Sequence, residues 1–251
     1  ARGVPGSELW LNPELYYTQP GRYLLAPISR SGETSETLQA CRAFRATGRG
    51  EILTLSCYPD SQLASIGDWN LVLESGQEES YAQTRAFTTL YLAAIYFACL
   101  VAGREDFLTR LNELPALCAG LLERHAGSIR AVGRDLSIDR VYFLGSGPRY
   151  GLACELSMKM KEMSLTHCEP FHFLEFRHGP KTMASQGSLV FGLLSETNVE
   201  NERAVAAEVE GLGAQVILVG EDSCTINFAS SLPEILRGPL YLVAGQLFSY
   251  E

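Results

Sequence analysis

The feature that most constrains this chain is a regular alternation of short, continuously apolar runs with longer helical patterns. Runs such as YLLAPI, VYFL and LVFGLL lack the polar–apolar alternation of a half-exposed strand. Continuous hydrophobicity is typical of strands buried on both faces, as in a parallel sheet. The predicted strands are 23–28, 52–56, 71–73, 141–144, 189–194 and 216–219, and the predicted helices are 36–47, 81–102, 105–124, 150–163 and 199–212. This order predicts an α/β fold of doubly wound parallel sheets.

An internal repeat divides the chain into two halves. Residues 23–56 and 188–219 each read strand, hydroxyl-bearing turn, helix, glycine and strand. The repeat predicts two Rossmann-like subdomains related by duplication, at 1–126 and 127–251. The strand 141–144 and the glycine-rich turn after it have no counterpart in the first half. We therefore expect the first subdomain to be incomplete at its N-terminus and the second at its C-terminus.

Charge, hydropathy and cysteine usage exclude several classes of function. The 29 Asp and Glu outnumber the 20 Lys and Arg, and a net charge of −9 makes a nucleic-acid partner unfavourable. The longest apolar run, 90–103, is too short to span a bilayer, which takes about 20 residues, so no membrane partner is expected. The 7 cysteines are scattered singly and form no C-x-x-C pair, which is typical of reduced thiols in a cytoplasmic protein.

A hydroxyl-rich turn, Ser29–Thr34, joins a predicted strand to a predicted helix. Ligands of open α/β sheets bind at the carboxyl ends of strands. Serine and threonine hydroxyls there, together with the free N–H groups of the first helical turn, can surround a phosphate. The alternative is ordinary helix capping, for which Ser and Thr are also preferred. Four hydroxyls at positions 29, 31, 34 and 35, flanking Gly32, favour the anion.

A second glycine-rich turn, Gly145–Gly151, opens the helix 150–163. Its G-x-G-x-x-x-G spacing is one residue longer than the dinucleotide fingerprint, so a tight turn is favoured over a nicotinamide site with Glu169 on the ribose. The helix carries Glu155, Lys159 and Glu162 on one face. They are either a solvated salt-bridge row or an acid–base group able to relay a proton between adjacent carbons.

Three histidines follow this helix. His167, Cys168 and Glu169, with His172 and His178, match no structural zinc spacing, and the sequence predicts no metal site. His178 stands in a polar cluster before a Gly-Pro turn, where it either satisfies loop carbonyls or serves chemistry.

Three stretches carry a resemblance to a known family. The segment Ile28–Thr34 (ISRSGET) resembles the sugar-phosphate loop of SIS (sugar isomerase) domains. Residues 144–183 are similar to the second SIS domain in the isomerase half of glutamine–fructose-6-phosphate amidotransferase, and 81–89 (YAQTRAFTT) to the start of a helix in that family. The similarity runs in order over essentially the whole chain. Stand-alone relatives with two SIS domains act as amino-sugar-phosphate deaminases or isomerases.

The resemblance implies a set of substrate-binding residues. Ser29, Ser31 and Thr34 would hold the 6-phosphate of a sugar. Arg30 stands where the synthase has Gln and would add a cation beside the phosphate. Gln83 replaces a family Ser that faces the sugar. The family's first-copy phosphate loop and its C-terminal tail with a Schiff-base Lys have no counterpart here.

The resemblance also implies a reaction and its catalytic residues. Glu162 would move a proton between C1 and C2 of the sugar, with Lys159 beside it. His178 would help to open the ring, reaching the site of the neighbouring subunit in a homodimer. The expected function is aldose–ketose isomerisation or deamination of amino-sugar 6-phosphates, without a cofactor. The alternative is a non-catalytic sugar-phosphate sensor, which needs the hydroxyl loop but no acid–base pair.

Overall fold

The structure, a computed structural model, describes residues 2–251 and divides the chain into two units, Ala1–Ala94 and Ile95–Glu251. The first unit contains a three-stranded parallel sheet in the order β1-β2-β3. Its strands are β1 (Tyr23–Leu25), β2 (Gly50–Ser56) and β3 (Trp69–Val72). Its helices are α1 (Gly6–Leu11), α2 (Ser35–Thr47), α3 (Gln62–Ile66) and the first part of α4 (Arg85–Val101).

The second unit contains a five-stranded parallel sheet in the order β5-β4-β6-β7-β8. Its strands are β4 (Arg140–Gly145), β5 (His167–Phe171), β6 (Ser188–Leu193), β7 (Gln215–Gly220) and β8 (Ile226–Asn227). Its helices after α4 are α5 (Glu105–Leu111), α6 (Leu114–Gly133), α7 (Pro148–Met163), α8 (Phe173–Phe176), α9 (Val199–Glu210) and α10 (Gly238–Tyr250). The α/β class with parallel sheets is confirmed.

Burial separates the central strands from the edge strands. Every residue of β6, and all of β4 except Arg140, is buried, as the continuous apolar runs predict. The prediction of burial on both faces is wrong for β1 and β3, which hold no fully buried residue. Both lie at the edges of the small first sheet, so less of the chain packs against them.

Two predicted elements differ from the structure because of proline. The predicted helix 105–124 is two helices, α5 and α6, and Pro115 stands in the first turn of α6, where its missing N–H costs nothing. The strand β5 was not predicted, since it reads HCEPF. It lies at the edge of its sheet, and an edge strand tolerates the missing donor of Pro170.

The predicted repeat is visible in the topology. The order β1-α2-β2-β3 in the first unit matches β6-α9-β7-β8 in the second. The matching turn serines make the same local bond: Ser29 Oγ accepts from the Gly32 amide at 3.2 Å, and Ser195 Oγ from the Asn198 amide at 2.8 Å. Within residues 2–251, β4 and β5 have no counterparts in the first unit.

The boundary between the two compact units lies inside α4, whereas the repeat predicts subdomains at 1–126 and 127–251. Helices α5 and α6 group with the second unit because α6 packs along α10, and Arg130 of α6 pairs with Glu251 Oε1 at 2.9 Å. That residues 1–126 form a first SIS domain stays a prediction. No helix within residues 2–251 is long and apolar enough to cross a membrane.

Candidate active site

The loop Ser29–Thr34 lies between β1 and α2, at the carboxyl end of the first sheet. Two backbone bonds fix it to the end of β2: the Ser29 amide donates to Leu55 O at 3.1 Å, and the Cys57 amide donates to Arg30 O at 2.9 Å. The loop therefore has a defined position at the start of a 13-residue helix. The helix macrodipole favours a negative charge there.

The hydroxyls of this loop bond within the loop, and that of Thr34 does not cap the helix. Ser29, which is 7% exposed, places Oγ 2.9 Å from Thr34 Oγ1, and Ser31 Oγ accepts from the Glu33 amide at 3.1 Å. Thr34 is the N-cap residue of α2, yet within the described chain its side chain makes no capping bond. This geometry favours the anion-binding interpretation over capping, since the hydroxyl that would cap α2 turns into the loop.

Gly32 is required by the shape of the loop. It has φ +68°, and a Cβ atom there would lie 2.3 Å from Ser61 Oγ at the start of α3. A side chain at this position would force the two segments apart.

A cavity of about 370 Å³ opens beside the loop. Residues of the loops that follow β1 and β2 line it: Arg30, Ser31, Glu33, Tyr58, Asp60 and Ser61. Glu33 is already engaged, because its carboxylate accepts from the Gln62 amide at 2.7 Å and from Gln62 Nε2 at 2.6 Å. Arg30 is the one cationic residue among these six, and Asp60 is the second carboxylate.

Gln83 lies in the segment that leads into α4, and it is half-buried. The structure links this segment to the hydroxyl loop through Arg30, whose Nη1 donates to Ser80 O at 2.5 Å. The five predicted substrate-binding residues therefore lie on two segments of the first unit that are joined by a hydrogen bond.

In the second unit, α7 carries the predicted acid–base residues. Lys159 is 2% exposed, Glu155 is 8% exposed, and the side chain of Glu162 is 38% exposed. Lys159 Nζ donates to Glu162 Oε2 and lies 3.6 Å from Glu155 Oε1. A solvated salt-bridge row is therefore excluded for Lys159 and Glu155, and only Glu162 reaches solvent.

Burial controls the protonation of this group. Desolvation raises the pKa of Glu155 to about 7, against the opposing pull of Lys159, and the neighbouring charge of Glu162 adds to the rise. The arrangement holds a buried ammonium between two carboxylates, and the exposed one can exchange a proton with a bound molecule.

The glycine-rich turn before α7 is explained by its backbone. A Cβ atom on Gly145 would lie 2.4 Å from Arg149 O, and Gly147 has φ +58°. The side chain of Arg149 turns away to pair with Glu234. These contacts are those of a tight turn, the interpretation that the sequence favours over a dinucleotide site.

The three histidines after α7 have different surroundings. His172 stacks on Tyr150 with ring centroids 3.9 Å apart, and His167 Nε2 lies 3.9 Å from Glu169 Oε1. His178 lies exposed between α8 and the 3₁₀ turn at Pro180, and within residues 2–251 no hydrogen bond or ion pair joins its ring to Lys159 or Glu162. Residues 2–251 contain no group of three or more His, Cys, Asp or Glu side chains placed to hold a metal ion.

Comparison with known proteins identifies similar sequences and folds. The family model described as SIS domain matches residues 136–226, which span β4 to β8 of the second unit. Residues 136–226 are thus similar to a SIS domain. The chain is 27% identical, with a TM-score of 0.83, to the glucosamine-6-phosphate deaminase of Thermotoga maritima, covering 98% of this chain and 74% of that one. It shares its fold with tagatose-6-phosphate ketose/aldose isomerase of Escherichia coli at 22% identity and a TM-score of 0.83, covering 98% and 72%.

Curated relatives are longer than this chain. It is 32% identical over 242 residues to the isomerizing glutamine–fructose-6-phosphate aminotransferase of Chlamydia caviae, covering 89% of this chain and 39% of the relative. The enzyme of the same name from Sulfurisphaera tokodaii is 28% identical over 234 residues, covering 90% and 38%. The chain thus spans about two fifths of these relatives' length.

Some residues of the site were missed by the sequence interpretation. Tyr58, Asp60 and Ser61 line the cavity, but they lie in an ordinary polar turn after β2 and carry no distinguishing pattern. The burial of Lys159 had a signal, because it continues the apolar helical stripe of Leu152 and Leu156 at i+7 and i+3.

Proposed function

We propose that this chain converts sugar 6-phosphates between aldose and ketose forms, or deaminates amino-sugar 6-phosphates of the glucosamine 6-phosphate type. The names of its relatives support this substrate class. The observation that carries the proposal is the buried Lys159 held between Glu155 and the solvent-reaching Glu162. A sensor requires only the phosphate-binding loop, and not a buried Lys159 paired with a carboxylate at the surface. This group therefore favours the enzyme over a regulatory module.

The first unit would bind the phosphate. Ser29, Ser31 and Thr34 offer hydroxyls, the start of α2 offers amides, and Arg30 offers a guanidinium. Gln83 would face the sugar hydroxyls.

Glu162 and Lys159 would supply the proton transfer. After ring opening, the Glu162 carboxylate would take the C2 proton of the aldose while the carbonyl oxygen at C1 gains a proton. Return of a proton to C1, with loss of the proton on the C2 hydroxyl, gives the ketose. Lys159 would stabilise the Glu162 carboxylate that forms again when the proton is given to C1.

The phosphate assignment predicts the effect of Ser31→Ala. The variant removes a hydroxyl that would donate to the phosphate, and such a charge-assisted bond contributes about 1.5–3 kcal/mol. We expect at least tenfold weaker binding of glucosamine 6-phosphate by calorimetry, with no change for unphosphorylated glucosamine. Ser128→Ala is the matched control, because Ser128 lies in α6, outside the hydroxyl loop, and its Oγ donates to His125 O at 2.9 Å. Equal losses in the two variants would contradict the assignment.

We further propose a cytoplasmic homodimer in which His178 opens the sugar ring in the partner's site. The exposed position of His178 leaves its ring accessible to a partner subunit. The seven free cysteines support the cytoplasmic location.

Mixing two inactive variants tests the shared site. If His178 serves the partner, a dimer of His178→Asn with Glu162→Gln has one complete site. Random mixing would then restore about a quarter of the wild-type activity, since half of the dimers are mixed and each has one working site. If His178 serves its own subunit, no mixed dimer has a complete site and activity stays at the level of the single variants.

A further inference from the structure

Arg30 connects two segments that lie fifty residues apart in the first unit. Its backbone belongs to the hydroxyl loop, and Arg30 is one of the residues that line the 370 Å³ cavity, together with Ser31. From there Nη1 donates to the carbonyl of Ser80 at 2.5 Å. Ser80 comes three residues before Gln83, so the Arg30 side chain joins the hydroxyl loop to the segment that would face the sugar.

Other bonds hold the base of that second segment. Cys57, at the end of β2, accepts from Gln77 Nε2 at 2.8 Å while its amide donates to Arg30 O at 2.9 Å. The Glu78 carboxylate accepts from the amides of Arg85 at 3.2 Å and Ala86 at 3.1 Å, which fixes the start of α4. The ends of the segment 77–86 are therefore anchored, and Arg30 holds its middle at Ser80.

We propose that Arg30 is a positioning residue that couples phosphate binding to the placement of residues 79–84. This inference rests on the proposed function, because the anion it requires is the phosphate of the substrate. A guanidinium has five N–H donors in a rigid planar fork, so it can keep the Ser80 carbonyl while it binds phosphate oxygens. When the phosphate arrives, Arg30 loses its freedom to move, and the segment that carries Gln83 becomes ordered with it. A substrate without phosphate would leave the segment looser.

The substitution Arg30→Lys distinguishes this coupling from electrostatic attraction of the phosphate alone. The ammonium of Arg30→Lys still attracts a phosphate, but it is a point charge on a flexible stem and cannot hold two partners in one plane. Arg30→Gln removes the charge as well. Arg85→Gln is the matched control, because Arg85 bonds to the Gln77 carbonyl at the anchored end of the same segment and does not line the cavity.

Amide hydrogen exchange of the full chain tests the proposal, with inorganic phosphate and fructose 6-phosphate as probes. Without ligand, we expect exchange at residues 79–84 to be about fivefold faster in Arg30→Gln and Arg30→Lys, as loss of one hydrogen bond at the surface implies. Phosphate should slow this exchange in the wild type and in Arg85→Gln. Phosphate should also bind to Arg30→Lys, but it should not slow the exchange at residues 79–84 of that variant.

Two results would overturn the inference and a third is distinct from both. Equal protection by phosphate in the wild type and in Arg30→Lys would show that charge alone acts. Unchanged ligand-free exchange in Arg30→Gln would show that Arg30 does not hold the segment. If no variant and no wild-type sample binds either probe, the proposed function itself fails, and the coupling falls with it.

Discussion

Glutamine in place of Glu162 will stop proton transfer on the sugar while leaving the sugar phosphate bound. Glutamine keeps the size of the side chain and can still accept a hydrogen bond from Lys159, but it cannot take a proton. General acid–base groups contribute about 10²–10⁴-fold to a rate, so the exchange of C1 and C2 hydrogens with deuterated solvent should fall by that factor. Affinity for glucosamine 6-phosphate, measured by calorimetry, should change by no more than a few-fold, since the phosphate would be held by the first unit.

Glu169→Gln is the control for this experiment. Glu169 is a half-exposed carboxylate of the same unit, next to His167 rather than Lys159. Its replacement should leave hydrogen exchange at C1 and C2 intact. If Glu162→Gln exchanges these hydrogens as fast as the wild type, Glu162 is only the surface partner of Lys159. A wild-type protein that binds the sugar phosphate but never exchanges its hydrogens would favour the sensor.

The central strands could be predicted from sequence because burial on both faces leaves a continuous apolar run. The runs at 141–144 and 189–194 became β4 and β6, the middle of the five-stranded sheet. The edge of that sheet could not be predicted in the same way. An edge strand such as β5 packs on fewer neighbours and admits polar residues and Pro170, so its sequence does not differ from that of a turn.

The two parts of the candidate site differ in how far sequence predicts them. The hydroxyl loop is contiguous, and its chemistry follows from Ser29–Thr34 alone. The contact of Arg30 with Ser80 joins residues 50 positions apart and exists only after β1 and β2 pair. Likewise, helical spacing places Glu155 and Lys159 on one face, but it does not say whether that face meets solvent or the core. Tertiary packing decides this, and it turns the row inward.

The inward position of Glu155 has a consequence for the stability of the second unit. Its pKa is raised from 4.5 to about 7 because burial disfavours the carboxylate. Below about pH 4.5 the group is protonated in both the folded and the unfolded chain and has no effect. As the pH rises from 4.5 to 7, the unfolded chain releases the proton first, which favours unfolding. Stability present at low pH is therefore lost as the pH rises through the folded pKa.

Glu155→Gln should remove this loss. One pKa unit corresponds to about 1.36 kcal/mol. Between pH 4.5 and 7.5, the free energy of unfolding of the variant should therefore rise relative to that of the wild type by on the order of 3 kcal/mol. Urea unfolding curves of both proteins across this range measure the difference.

Glu208→Gln gives a control of opposite sign, because Arg177 and Lys181 lower the pKa of Glu208. Replacement of Glu208 should therefore lower stability at neutral pH and have no effect in acid. Parallel curves for the wild type and Glu155→Gln would mean that Glu155 stays ionised in the fold beside Lys159. Glu155 and Lys159 would then form a buried ion pair over the whole pH range.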